Sequence, residues 1–408
     1  MELLKIDSIE EARQKMLDCA CGIIKVEELS PKRCLNRILV ADIFAPEDIP
    51  GFDRSTVDGY AVVSKDTAAA GESLPVILTA VGEVEMGVAA DFAIKSGECA
   101  YIPTGGMLPQ GADAVVMVEY SEDFGGVGVA LYKSAAFGEG VVRRGDDARA
   151  GEMLLERGQM LRFCEIGVIA AADLDHVPVY KSPRLAIIST GDEIVRSEEE
   201  RKPGQVYDVN TPTLKAYAEK NGFIVVRTAL LQDDEEALES AIRDAMAVCD
   251  IVAISGGSSR GKKDATAEVI SKVSSPGVFT RGLALKPGKP TIIGYDTPSD
   301  TLLVGLPGHP VSAAIVFESL ICEWYRLVTG AKRPLALPAR LSTNVPASPG
   351  KLTYYPAAVT LTDNEYTATP IFGKSGLITT LSSAEGFFEI PRGKEGLPAG
   401  DTVMVHLF

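Results

Sequence analysis

The sequence predicts a multidomain α/β protein, and three observations carry that expectation. Residues 183–330 alternate short, branched apolar runs with amphipathic helical stretches, the pattern of a parallel-sheet α/β module with helices on both faces. Residues 53–144 change to short β-branched runs split by Gly and Pro, which reads as an inserted β-rich domain. Residues 331–408 return to short alternating runs and read as a C-terminal β-barrel-like domain. What is left, residues 1–52 with 145–182, reads as a helical segment whose two halves lie far apart in the sequence.

The elements follow in chain order. Ser8-Ile-Glu-Glu11 is a capping box, and the helix behind it turns Ile9, Ala12, Met16 and Ala20 inward. Ser30-Pro31 predicts a second helix through about Val40, and Glu47–Gly51 an extended linker. Asp58-Gly59 sits between strand-like flanks, so on its own it reads as a hairpin turn. Val76–Val81, Ala114–Val118 and Gly128–Tyr132 are strands of the inserted domain. Pro103–Asp113 is a glycine-proline loop in which Thr104 offers a hydroxyl. Arg143-Arg-Gly-Asp-Asp147 sets a cation pair and a carboxylate pair about a turn, and composition alone reads it equally well as a solvated charge run. From Gly151 the chain is expected to return to helix, with Ile166, Ile169 and Ala170 inward.

In the α/β module, Arg184–Ser189, Ile224–Thr228, Asp250–Ser255 and Thr301–Gly305 are buried strands. Thr211-Pro212 opens a helix with Leu214, Tyr217 and Ala218 on one face. The next helix carries Leu238, Ala241, Ile242, Ala245 and Cys249. The last opens at Pro310, lines up Phe317, Leu320, Ile321, Trp324 and Val328, and stops at Gly330. Ligands of such sheets bind beyond the carboxyl ends of the strands. There this chain places Ser255–Asp264 and Gly305–Pro310, with Lys286-Pro-Gly-Lys289 adding two ammonium groups. Glycines admit close backbone approach, and clustered N–H groups hold anions. Three such loops in one module predict an anion site.

Composition narrows the classes of function. A formal charge of −16 over 408 residues argues against nucleic acid or anionic lipid as partners, and it makes the basic clusters Arg143-Arg144 and Arg260–Lys263 stand out. Seven scattered cysteines without a Cys-x-x-Cys read as reduced thiols of a cytoplasmic protein. The acidic start lacks the pattern of a signal peptide, and no apolar run is long enough for a membrane span. His176, His309 and His406 are isolated, and none reads as a metal ligand.

Ser255-Gly-Gly-Ser-Ser259 with Asp264, Lys286-Pro-Gly-Lys289 and Gly305-Leu-Pro-Gly-His-Pro-Val-Ser-Ala313 together resemble the molybdenum cofactor synthesis module. That module occurs in free-standing molybdopterin adenylyltransferases and in the longer molybdopterin molybdenumtransferases (MoeA, or the gephyrin E domain). Asp53-Arg-Ser-Thr-Val-Asp-Gly-Tyr-Ala-Val62, Pro103–Asp113, Arg143–Asp147 and Thr190-Gly-Asp-Glu193 occur in the order seen in the second family. The resemblance therefore spans nearly the whole chain.

The resemblance implies a four-domain homodimer that takes adenylylated molybdopterin and molybdate to molybdenum cofactor and AMP, assisted by Mg2+. It implies Asp58, Asp147, Glu193, Asp208 and Asp264 as functional acids, with Asp58, Asp208 and Asp264 as magnesium ligands. Asp208 also reads as a plain neighbour of a helix cap. The implied substrate-binding set is Thr104, Arg144, Gly256, Gly257, Ser258, Lys286, Lys289, Ser312, Lys351 and Ser375. Active sites assembled from two chains are implied too, as are a molybdopterin adenylyltransferase and molybdoenzymes as partners. Adenylyl transfer by the central module, or a non-catalytic scaffold of the same fold, are the alternatives, and retention of all five acids argues against the scaffold. The chain departs from the family pattern at His309, where asparagine is usual, and at Lys351, where arginine is common. The Phe372–Ser375 loop also diverges just before its serine. Lysine keeps a point charge without the bidentate fork, which leaves the choice of molybdate or tungstate open.

Overall fold

The computed structural model describes residues 6–197, 199–256 and 262–408, with the backbone alone for 262–264. The chain divides into two compact units. One holds the first 40 residues, 157–162 and 177–408; the other holds 41–156 and 163–176.

The chain opens with α1 (Ile9–Ala20), whose Ser8–Glu11 capping box is formed and whose Ile9, Ala12, Met16 and Ala20 are buried. The predicted helix from Ser30 to Val40 is absent. A single 3-10 turn, Pro31–Arg33, is followed by Asn36 at φ 61. Backbone groups of residues 36–40 bond instead to a distant stretch, Asn36 N–H to Leu161 O (2.8 Å) and Leu39 N–H to Gln159 O (3.0 Å). A helix would need those same groups for itself.

The second unit contains a six-stranded sheet of β1 (Gly59–Val62), β2 (Val76–Glu83), β3 (Glu98–Ile102), β4 (Ala114–Met117), β5 (Ser121–Asp123) and β6 (Val129–Leu131), in the order β4-β1-β3-β2-β6-β5. Alternate side chains enter two cores: Tyr60, Val62 and Val116 go to one, Ala61 and Val115 to the other. The helix expected from Gly151 is corrected. Met153–Leu155 is a short strand paired with Ile43–Phe44, and only α2 (Phe163–Ala171) is helical. Ile169 is buried there, whereas Ala170 is exposed.

The α/β module comprises β7 (Arg184–Thr190), α3 (Asn210–Lys220), β8 (Ile224–Leu231), α4 (Glu235–Met246), β9 (Ile251–Gly256), α5 (Lys262–Val273), β10 (Pro276–Arg281), β11 (Leu285–Lys286), β12 (Ile292–Asp296), β13 (Thr301–Leu306), α6 (Pro310–Val316) and α7 (Glu323–Thr329). A π-helical stretch, Phe317–Cys322, joins α6 to α7. The sheet order is β8-β7-β9-β13-β12-β10. The first four strands are parallel, as expected. β12 and β10 add an antiparallel edge that the sequence reading missed. Leu185 and Ile187 of β7 pack with α1, α3 and α6, while Ala186 and Ile188 pack with α4 and α5. That alternation is why the strands read as continuous apolar runs: both faces are covered.

The C-terminal strands are β14 (Ala336–Leu341), β15 (Leu352–Thr362), β16 (Glu365–Pro370), β17 (Gly386–Ile390) and β18 (Thr402–Leu407). They pair in the order β15-β16-β14-β18-β17, and β17 pairs back onto β15, which closes a five-stranded barrel around Leu341, Ala357, Phe388 and Val405. Among the described residues no helix is long and apolar enough to cross a membrane.

Candidate functional site

The α/β module and the barrel are joined by a strand pairing that also builds a cavity. β11 lies parallel to β15, with Leu285 opposite Leu352 and Lys286 opposite Thr353. The register is held further by Leu352 N–H donating to Ala284 O at 3.0 Å. Lys286 is thereby carried to the wall that holds Lys351. Beyond Lys286 the chain turns through a cis Lys286–Pro287 bond to Lys289. The result is a cavity of about 720 Å3 lined by Lys286, Lys289, His309, Ser312, Lys351, Lys374 and Ser375 among others. Among the described residues its lining holds four lysines and no carboxylate. Ser312 is buried in the first turn of α6, whereas Lys286, Lys289 and Lys374 are exposed. The Ser375 loop is tied to the start of α6: His309 Nδ1 and Ser375 Oγ are 2.8 Å apart, and Val311 N–H donates to Ser375 O at 3.2 Å. Five residues named from sequence (Lys286, Lys289, Ser312, Lys351 and Ser375) thus meet in one place. The sequence reading did not name Lys374, although it is adjacent to Ser375 in the same divergent loop.

The carboxyl ends of the parallel strands form a separate polar cluster. Gly256 ends β9 at φ 142, and a Cβ there would lie 2.2 Å from Thr190 O of β7, so only glycine lets the two strands stay paired to their ends. Asp208 Oδ1 accepts from the N–H groups of Asn210 (3.0 Å) and Thr211 (3.1 Å) and from Ser189 Oγ (3.4 Å). Asp208 therefore caps α3, which begins at Asn210 rather than at Thr211-Pro212 as expected. Asn210 Nδ2 donates to Ser255 Oγ and to Gly308 O, both at 2.7 Å, which links the ends of β9 and β13 to the start of α3. Glu193 is exposed, and its backbone O accepts from Val206 N–H at 2.7 Å. Gly257, Ser258 and the side chain of Asp264 lie outside the described residues.

In the other unit, Asp58 and Thr104 come together from 46 residues apart. Asp58 Oδ1 accepts from Thr104 N–H (2.7 Å) and from Thr104 Oγ1 (3.0 Å). These bonds, the backbone one first, hold the Asp58 carboxyl below its ordinary range. The neighbouring Gly59 leaves no room for a Cβ, which would sit 2.0 Å from Val116 O, so β1 and β4 pack tightly just where the Asp58 turn ends. Arg144 Nε donates to Asp48 Oδ2 (2.7 Å) and its N–H to Asp53 Oδ1 (2.8 Å), so this arginine is built into a local network. Asp147 is exposed, with its N–H bonded to Ile49 O at 3.0 Å. Among the described residues no group of three or more His, Cys, Asp or Glu gathers as a metal cage.

Three family models cover almost the entire chain: the MoeA N-terminal region (domain I and II) over residues 7–172, a probable molybdopterin binding domain over 186–326, and the MoeA C-terminal region (domain IV) over 338–408. The chain belongs to the MoeA family. It is 32% identical to a molybdopterin biosynthesis protein of Methanocaldococcus jannaschii over 94% of this chain and 92% of that one. It is 30% identical to the molybdopterin molybdenumtransferase of Haemophilus influenzae over 98% of each. Among solved structures, a molybdopterin biosynthesis MoeA protein of Pyrococcus horikoshii superposes with a TM-score of 0.78 at 36% identity, covering 99% of both chains. A second MoeA structure from that organism superposes with a TM-score of 0.77 at 28% identity, over 99% of this chain and 100% of that one. The MoeA domain IV match at 338–408 spans the barrel that supplies Lys351, Lys374 and Ser375. The cavity therefore needs the C-terminal region that a free-standing central module would lack.

Proposed function

We infer that this chain is a molybdopterin molybdenumtransferase, which inserts molybdenum from molybdate into adenylylated molybdopterin and releases AMP. The observation that carries this reading is the cavity whose described lining has four lysines and no carboxylate, in a chain whose formal charge is −16. A tetrahedral oxyanion is the small ligand such a wall favours, because each ammonium contributes donors and charge with no acceptor to repel it. Lys286, Lys289, Lys351 and Lys374 hold the oxyanion by charge, and Ser312 and Ser375 offer hydroxyl donors. At the strand ends, Gly256 and the Asn210-linked loops present backbone close to a phosphate-bearing substrate.

Mg2+ suits this donor set, since magnesium is usually held by one or two carboxylates together with substrate phosphates rather than by a protein cage. Asp208 engages Oδ1 in the bonds described above and would hold it through the carboxylate, with Asp264 as the second acid of the α/β module; Asp58, whose Oδ1 is bonded to Thr104, is assigned as a magnesium ligand of the other unit by itself. When bound, the ion would neutralise charge on the phosphate linkage. Asp147, Glu193 and Arg144 complete the acids and cation that we assign to substrate handling. We further infer a homodimer in the cytoplasm, receiving its substrate from a molybdopterin adenylyltransferase and passing its product to molybdoenzymes.

The test is to mix purified protein with adenylylated molybdopterin and molybdate in the presence of magnesium and to measure AMP. Molybdate-dependent AMP release is expected. Consumption of ATP with molybdopterin, without such release, would identify adenylyl transfer instead.

A further inference from the structure

We propose that His309 is a positioning residue for the oxyanion, acting through Ser375: its Nδ1–H donates to Ser375 Oγ and so directs the serine hydroxyl proton into the lysine cavity. The inference rests on the reading of that cavity as an oxyanion site and names a residue that fits it for the task. The observation is the 2.8 Å contact between His309 Nδ1 and Ser375 Oγ, across 66 residues of sequence and between the α/β module and the barrel. Both residues line the cavity. The serine is also fixed at its backbone by Val311 N–H, so the loop is placed independently of the imidazole and the ring has one further thing to set, the rotation of the hydroxyl. Gly376 neighbours the ring: an added Cβ there would stand 3.6 Å from His309 Cδ2, in ordinary contact.

The direction of the bond decides its effect. A serine hydroxyl has one proton and two lone pairs. If Nδ1 accepted, the proton would be consumed by the ring, and lone pairs would face an anion. If Nδ1–H donates, one lone pair is occupied and the proton is left for the oxyanion. Only the second arrangement agrees with a wall that, among the described residues, carries four ammonium groups and no carboxylate.

Calorimetric binding of molybdate to the full chain tests this, with steady-state kinetics alongside. His309→Ala should weaken molybdate binding about 3- to 10-fold, as expected for one neutral hydrogen bond. It should raise the KM for molybdate with kcat nearly unchanged. His309→Asn, whose amide N–H can replace the Nδ1 donor, should restore affinity to within about twofold of the parent. His309→Phe keeps the ring and removes both nitrogens, and should behave like His309→Ala; it serves if the alanine variant does not fold. In a Ser375→Ala background, His309→Ala should add nothing further. Parent-like affinity in His309→Phe, failure of His309→Asn to recover, or an additive loss in the Ser375→Ala background overturns the role of His309 and leaves the cavity's function standing. A parent protein that binds no molybdate overturns the cavity reading itself.

Discussion

The immediate surroundings of Lys286, Lys289 and Asp58 fix how each responds to substitution or pH. Lys286 and Lys289 flank one turn in a wall without carboxylates among the described residues, so no described neighbour in that lining compensates either charge. Lys286→Ala and Lys289→Ala should each weaken oxyanion binding by about tenfold, the effect of one charge-assisted contact. Calorimetry with molybdate checks this, and parent-like binding in both variants would remove the turn from the site. Asp58 has its carboxyl held low, first by the Thr104 backbone N–H and then by the Thr104 hydroxyl. The depressed native value means the unfolded chain binds more protons in between. The associated stability is present above the ordinary carboxylate range and is lost as pH falls through the native value. Thr104→Val removes only the hydroxyl, so the Asp58 titration followed by NMR should move partway towards about 3.9 and not reach it. An Asp58 that titrates at its ordinary value in the parent would sink this account.

At the scale of the element, the end of β9 is the sensitive point. Gly256 combines φ 142 with a Thr190 carbonyl where a Cβ would stand, and the obstacle is backbone, which cannot swing aside as a side chain can. Gly256→Ala should cost about 2 kcal/mol or more in denaturant unfolding. It should also disturb the pairing of Thr190 with Gly256, from which the loops beyond both strands depart. Loss of less than about 0.5 kcal/mol would mean that β7 and β9 separate at no cost there. α3 makes the complementary point. Its start depends on Asp208 and Asn210, two residues that also organise the strand ends, so capping and site-building share the same atoms.

At the scale of the molecule, the unit that contains the cavity is held by a charge network near the junction of the long helix and the barrel. Arg326 on α7 bonds Glu318 Oε1 at 2.7 Å and Asn221 Oδ1 at 3.2 Å, and reaches Glu323 Oε2 at 3.4 Å; Arg333, in the link to the barrel, also bonds Glu323. The side chains of Arg326, Glu318 and Glu323 are only 11%, 12% and 7% exposed. Arg326→Met leaves the largely buried Glu318 carboxylate with the Tyr217 hydroxyl in place of a cation, while Glu323 keeps Arg333, and should destabilise the chain by about 3 kcal/mol, read as a shift of the urea midpoint. A shift below about 1 kcal/mol would show that the Glu318 carboxylate finds water or protonates without cost.

The sequence by itself determined the α/β module, the β texture on either side of it, the capping box at Ser8 and the identity of the glycine and lysine loops. These are local or periodic signals: burial on both faces of a parallel sheet imposes apolar runs, and turns or close approaches impose glycine and proline. It misread residues 31–40 and 151–160 as helix, because their backbone partners lie more than a hundred residues away and no local pattern announces them. It also missed β10 and β12, although they pair locally with each other and with β13: they are only 6 and 5 residues long, and each is interrupted by a glycine, Gly277 and Gly294. The cavity was a matter for tertiary structure alone. Lys286, His309, Lys351 and the Lys374-Ser375 pair stand on four segments, and only the pairing of β11 with β15 and the closure of the barrel bring their charges and hydroxyls within reach of one small anion.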